Sequence, residues 1–416
     1  MTLLRRLFHQ VVRRFGLAVA VRDELRRDFQ REIAQVRGEV KSVASRLRER
    51  PSSDSADGRD VGERLAHELE TRVKVLTEPI ADIGRKADAR GLEAQAAIVA
   101  LQEQLTRLTR AYAVDAEQLG RLATVARWDV RRIASHVRHA VENATLQVDP
   151  FPHLIIDGLL PQDAFDVLLE AIPPEEFFEG SDPKRRDLKG PDRSILPVAS
   201  KAIWSSFSRD IIDGVLGPAV AQRFKPIARD FLRLSVGEQF VDEALALPLQ
   251  TRGLRLMLRR PGWKLAPHLD PRDQFITTLL YLAHRGDPEA YGTQLFRVDR
   301  ENFVASWANT YYPEAEGLRC ELVKTLPFRG NLCLSFLNLG GGAHGAELPA
   351  DAQPADLRRL AFQFYMGPER DALNALIDRL PAELQVAWTR RVKKGDRERL
   401  RKESVGGDQS LEQRGD

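Results

Sequence analysis

The sequence predicts an α+β chain of more than one domain: a helical N-terminal region, then a strand-rich domain with flanking helices. Two observations point to this. Pro51 and Pro79 are the only prolines ahead of Pro150, and the stretch before residue 148 is rich in Arg, Glu, Ala and Leu, which favours helix. Beyond it come Pro, Gly, aromatics and short apolar runs, the pattern of strands punctuated by turns. A chain of 416 residues is long enough for two or three domains and one sizeable core. Three regions are expected: a helical region over 1–147 with a linker at 51–60, a mixed domain over 148–380, and a basic, partly disordered tail over 381–416.

The helical region comes first. Phe29, Ile33, Val36, Val40, Val43 and Leu47 recur at alternating spacings of four and three, which keeps one apolar seam along a helix. The segment PSSDSADGRD (Pro51–Asp60) breaks it with turn formers. A second seam runs through Ile98, Leu101, Leu105, Leu108, Tyr112, Leu119 and Leu122, with Asp115 interrupting its register. One helix cannot bury so narrow a stripe, so a coiled-coil partner is expected. That partner is a second copy of the chain or another protein, with an internal hairpin as the alternative. Residues 1–22 carry five arginines and no acid, and Leu3, Leu4, Leu7, Phe8, Val11, Val12 and Phe15 share one helical face. This reads as an extension of the coiled coil, and secondarily as a segment for peripheral contact with an anionic membrane.

Composition narrows the function. Lys and Arg number 63 against 60 Asp and Glu, a formal charge of +3, so no specific nucleic-acid partner is expected. The two cysteines, Cys320 and Cys333, form no CxxC pattern and fit a reducing compartment. Phe15–Val21 is too short for the apolar centre of a signal peptide, and no run approaches a bilayer span. A cytoplasmic protein is the expectation, with peripheral membrane contact through residues 1–22 as the secondary reading.

The chemistry concentrates between Leu254 and Gly367. His268 and Asp270 stand two apart in HLD. On an extended segment, residues i and i+2 point to one side, so one imidazole and one carboxylate can meet one metal ion. A β-rich run follows, Phe275–Leu282 (FITTLLYL), and after a loop comes YGTQLFRV from Tyr291 to Val298. Leu332–Leu337 reads as a buried strand, a glycine triplet follows, and His344 sits just beyond it. The segment RRLAFQFYM from Arg358 reads as the last strand. Two histidines and one carboxylate make the facial triad of non-haem iron(II) sites, which leaves three octahedral positions open. Zinc would favour a tetrahedral site.

A chelating 2-oxoacid at such an iron needs its far carboxylate held, and arginine does this through a planar fork of donors. Arg358 and Arg359 are the candidates. Arg358 shares its alternation with Leu360, Phe362, Phe364 and Met366, an apolar core face. Arg359 shares its own with Ala361, Gln363 and Tyr365, small and polar as a cavity lining should be. Arg359 is the choice, with Arg358 as runner-up.

HLD, TTLLYL, YGTQLF, SFLNLGGGAHGA and RRLAFQFYM, in that order, resemble the Fe(II)/2-oxoglutarate-dependent dioxygenase superfamily, in particular its prolyl-4-hydroxylase-like bacterial branch. Phe151–Pro173 is similar to the strand-plus-helix opening of that branch. The resemblance covers residues 150–370. It implies a double-stranded β-helix, a jelly-roll relative. It further implies Fe(II) on His268, Asp270 and His344, 2-oxoglutarate on Arg359, and O₂ as co-reactant. The implied reaction is hydroxylation coupled to decarboxylation of 2-oxoglutarate to succinate. A protein side chain, a saccharide or a small metabolite are all open as substrate. The chain departs from the family pattern at Gly292-Thr293-Gln294-Leu295, where one glycine is lost. Arg259 stands where the family often has a tyrosine, and Arg359 follows His344 by 15 residues, with LPADAQPADL between them.

Plainer readings stand beside this one. The barrel could be a degenerate, non-catalytic part of a coiled-coil scaffold, or a cupin-like metalloenzyme that uses no oxoacid. His136 and His139, at i and i+3 with Asp129 nearby, read first as a solvated helix face and second as a metal site. His9, His67, His153 and His284 read as structural, and Cys333 as a buried small hydrophobe. Lys184, Arg185, Arg186 and Lys189 are expected in a solvated loop, with substrate contact as the alternative.

Overall fold

The computed structural model describes residues 127–191, 195–299, 310–338 and 341–385, with Trp388 and isolated positions between 106 and 114. Both apolar seams, the basic segment 1–22 and the tail beyond Trp388 lie outside the described residues. The chain divides into two compact units, one of 1–128, 170–173 and 193–204, the other of 129–169, 174–192 and 205–416. The second unit begins at Asp129, ahead of the composition change at 148, and contains every strand described below. No described helix is long and apolar enough to cross a membrane.

Among the described residues, eleven strands build two antiparallel sheets. They are β1 (Leu146–Gln147), β2 (His153–Ile156), β3 (Arg185–Lys189), β4 (Leu249–Arg259), β5 (Trp263–His268) and β6 (Ile276–Tyr281), then β7 (Gln294–Val298), β8 (Cys320–Thr325), β9 (Cys333–Leu337), β10 (His344–Leu348) and β11 (Arg359–Pro368). The larger sheet has the order β1-β2-β9-β6-β11-β4-β3, and the smaller has β5-β10-β7-β8. From β4 onward the chain alternates between the two sheets, except at β7 and β8, which are consecutive and paired in the smaller one. Two antiparallel sheets wound in this way are consistent with the double-stranded β-helix of a jelly roll.

The alternation of β11 decides what lies inside. Ala361, Gln363 and Tyr365 pair in register with Tyr281, Leu279 and Thr277 of β6. Partners in register project to the same side of a sheet. Ala361, Leu279 and Tyr281 join Met257, Leu295, Phe328, Leu334 and Phe336 in one buried cluster between the sheets. The alternate residues of β11 face the other way, where Phe362 meets Phe207 edge-to-face at 5.6 Å. Phe207 opens a π-helical stretch, Phe207–Leu216, that runs into the helix Gly217–Val236. The helix Val130–Asn143 packs on that stretch. A helical layer therefore covers the outer face of the larger sheet.

Two local readings change in the structure. Lys184–Lys189 was expected as a loop, yet Arg185–Lys189 is strand β3, paired with β4 from Arg185↔Arg259 to Lys189↔Arg255. The open edge of β4 satisfies its backbone and Leu188 is buried on it. Tyr291–Val298 was expected as one strand, but Glu289–Tyr291 is a 3₁₀ turn and the strand begins at Gln294. Gly292 marks the break, since a Cβ there would sit 1.8 Å from the Leu326 carbonyl oxygen. His344, just beyond the glycines, opens strand β10. Asp129 caps the helix Val130–Asn143 by accepting from the backbone N–H groups of Arg131 and Arg132, and His136 Nε2 bonds the Gly158 carbonyl at 2.9 Å. His139 meets the Asn143 amide at 3.1 Å, and among the described residues neither helical histidine belongs to a metal-binding group. Trp388 is buried and donates to the Ser235 carbonyl at 3.0 Å.

Candidate metal centre

His268 closes β5 and His344 opens β10, and the antiparallel register sets them directly opposite each other. Their rings lie 4.3 Å apart, centroid to centroid. Asp270, two residues past His268, turns back between them: its Oδ1 is 3.7 Å from His268 Nε2 and its Oδ2 is 3.7 Å from His344 Nε2. Potential ligand atoms of the three residues all lie within 4.8 Å of one another, and among the described residues no other His, Cys, Asp or Glu group gathers this way. All three are buried.

The rings are oriented by the backbone. Each donates Nδ1–H to the carbonyl two residues earlier, His268 to Ala266 and His344 to Gly342, both at 3.0 Å. This fixes the tautomer and leaves each Nε2 lone pair aimed at Asp270. A separation of 3.7 Å is too long for a hydrogen bond. It is compatible with donors sharing one ion at roughly 2.0–2.2 Å each. Burial, followed by the neighbouring His344 ring, holds the His268 imidazole well below its ordinary range, with Asp270 opposing. A neutral ring is the form that binds metal.

A second layer holds the carboxylate. Thr277 Oγ1 donates to Asp270 Oδ2 at 2.7 Å and in turn accepts from Asn338 Nδ2 at 2.8 Å. Neither residue stood out in the sequence. Thr277 sits on the interior side of β6, and reading the alternation of FITTLLYL against that of β11 would have found it. Asn338 gives no signal, because its place depends on where β9 ends. Phe336 closes one side, its ring 4.6 Å from His344, and the half-exposed Tyr312 stands 5.8 Å from His268. Thr277→Val keeps the shape and deletes the donor. It is expected to weaken Fe(II) binding about 10- to 100-fold, the usual scale for such partners, as measured by anaerobic equilibrium dialysis.

The two arginines separate. Arg358 is exposed, whereas Arg359 is 3% exposed. Arg359 Nε donates to the Tyr291 carbonyl at 2.7 Å, and the guanidinium stands 5.5 Å from the Tyr281 ring centre and 5.2 Å from that of Phe328. Tyr281 is itself fixed, donating to Thr293 Oγ1 at 2.7 Å and accepting from Thr293 N–H at 2.8 Å. Burial pulls the Arg359 pKa down, and hydrogen bonding and charge from Tyr281 oppose it. Among the described residues no carboxylate lies within ion-pair distance of Arg359.

No family model and no curated protein matches the sequence. Solved structures do. HygX from Streptomyces hygroscopicus, with nickel and 2-oxoglutarate bound, is 16% identical with a TM-score of 0.29 and covers 52% of this chain and 82% of its own. A Pseudomonas putida prolyl-4-hydroxylase is 16% identical with a TM-score of 0.29 and covers 56% and 98%. A 2OG-Fe(II) oxygenase family protein from Burkholderia pseudomallei is 8% identical with a TM-score of 0.29, covering 52% and 84%. At such identities and TM-scores the likeness assigns no residue; the triangle of His268, Asp270 and His344 stands on its own geometry.

Proposed function

We propose that the second unit is an iron(II)- and 2-oxoglutarate-dependent oxygenase. The observation that carries this is the buried two-histidine, one-carboxylate cluster with both Nε2 atoms turned toward Asp270. The donor set fits the metal: two neutral imidazoles and one carboxylate suit Fe(II) and leave coordination positions open. The oxoacid has a fitting partner as well. A buried guanidinium without a carboxylate is costly, and an anionic ligand offsets that cost. Arg359 is such a group.

The spacing along the interior face is consistent with one ligand joining the two. Thr277, beside Asp270, and Tyr281, beside Arg359, are four residues apart on β6. That is about 13 Å of strand at roughly 3.3 Å per residue, within the combined span of a five-carbon dicarboxylate, its metal bond and an arginine side chain. Bound iron and 2-oxoglutarate would supply the oxidation of a C–H bond, with succinate and CO₂ as co-products. The chain's own part is to hold Asp270 through Thr277, set both ring tautomers through backbone carbonyls, and anchor the oxoacid at Arg359. The packed Phe336, Phe328 and Tyr281 rings keep water away from that anchor.

The test is conversion of 2-oxoglutarate to succinate by the purified full chain without added substrate. Slow, Fe(II)-dependent succinate formation that disappears in His344→Ala supports the reading. Iron binding without any succinate would favour the cupin-like alternative, and no iron binding would favour the scaffold.

A further inference from the structure

The interior face of β11 continues past Arg359 and Ala361 to Gln363 and Tyr365. Arg255 of β4 stands directly across from Gln363. Its Nε donates to Gln363 Oε1 at 2.7 Å, its Nη2 donates to the same oxygen, and Nη2 also donates to the Tyr365 hydroxyl at 3.0 Å. Both acceptors are neutral. The other arginines of this stretch are served by acids: Arg252 by Asp273 at 3.6 Å, Arg259 by Asp187 at 2.8 Å and Arg260 by Glu175 at 2.5 Å. Among the described residues no carboxylate lies within ion-pair distance of Arg255, and its Nη1 donates to no protein acceptor.

This fork borders the metal centre. Tyr365 pairs in register with Thr277, the residue that donates to Asp270. Burial, and after it the negative charge of Asp270, raises the Tyr365 hydroxyl's pKa. On the other flank Lys189 of β3 pairs with Arg255. The packing is specific to this arrangement. Gly253 has φ +66°, and a Cβ there would come within 2.8 Å of the Tyr365 ring. The β4–β11 register shifts between Gln363 and Tyr365.

We propose that Arg255, oriented by Gln363 and Tyr365 and flanked by Lys189, binds an anionic oxygen group of the substrate, a carboxylate or a phosphate. This rests on the oxygenase reading of the metal site. A guanidinium fixed on one edge by neutral acceptors keeps its charge uncompensated and presents its remaining donors in a planar fork. A neutral substrate leaves that charge unanswered. Asp187, the acid on this face of β3, is committed to Arg259.

The test uses the full chain loaded with Ni(II) and 2-oxoglutarate, which blocks turnover and occupies Arg359. Methylphosphonate and acetate are titrated in by calorimetry, with methylammonium as the cationic control. The expected result is binding of at least one anion and none of the cation, weakened at least tenfold in Arg255→Gln and partly kept in Arg255→Lys. Affinity for 2-oxoglutarate stays unchanged in both variants. Preference for methylphosphonate marks a phosphate substrate, and preference for acetate a carboxylate. Wild-type affinity for neither anion, or an Arg255→Gln affinity equal to wild type, overturns the proposal. So does loss of 2-oxoglutarate in place of the probe. Loading with nickel and oxoacid is measured first on the same samples. If it fails, the oxygenase reading falls, and the same titration of the metal-free chain still shows whether Arg255 holds an anion.

Discussion

Arg359→Ala is expected to weaken 2-oxoglutarate binding by roughly 100- to 1000-fold while leaving Fe(II) binding in place. Removing one partner of a buried charge pair costs about 3–5 kcal/mol, and each 1.4 kcal/mol is about tenfold. The oxoacid carboxylate would be left among Tyr281, Phe328 and the Tyr291 carbonyl, none of them a cation. Arg359→Lys restores charge without the planar fork, so it should recover part of the affinity. Arg358→Ala, at an exposed position just before the strand, should change it little. The measurement is the 2-oxoglutarate concentration that half-saturates succinate formation. Equal losses in Arg358→Ala and Arg359→Ala would remove Arg359 from its assigned role.

Asp270→Ala carries the second large effect. It deletes the one carboxylate between the two histidines, and the expected loss in metal affinity exceeds the 10- to 100-fold of a supporting residue such as Thr277. A metal bound at 100 times its Kd stabilises the native state by about 2.7 kcal/mol. The wild type should therefore show a rise in Tm with Fe(II), measured anaerobically, that Asp270→Ala lacks. An equal rise in the variant would mean that the metal binds elsewhere.

How much of this was legible beforehand follows from the range of each signal. HLD could be read because i and i+2 share a side of an extended chain; in the structure His268 closes β5 and Asp270 follows two residues beyond it. Arg359 could be preferred to Arg358 because alternation along RRLAFQFYM separates a small, polar set from an apolar one. The structure buries the first set between the sheets and turns Phe362 toward Phe207.

What failed to show was cross-strand. Arg255 meets Gln363 across 108 residues of sequence, and Asn338 meets Thr277 across 61. Neither pair leaves a mark in local periodicity. Lys184–Lys189 misled because its charges look solvated, while its strand character comes from the free edge of β4. The coiled-coil reading, with its expected second copy or partner, concerns residues outside those described.

The central claim is that His268, Asp270 and His344 hold an iron that 2-oxoglutarate then chelates. Anaerobic titration of the full chain with Fe(II) and 2-oxoglutarate, followed by visible absorption, tests it most directly. The account predicts a weak metal-to-ligand charge-transfer band that grows to one equivalent and is absent in His268→Ala. Bound iron with no band on adding the oxoacid, or a band that survives His268→Ala, would contradict it.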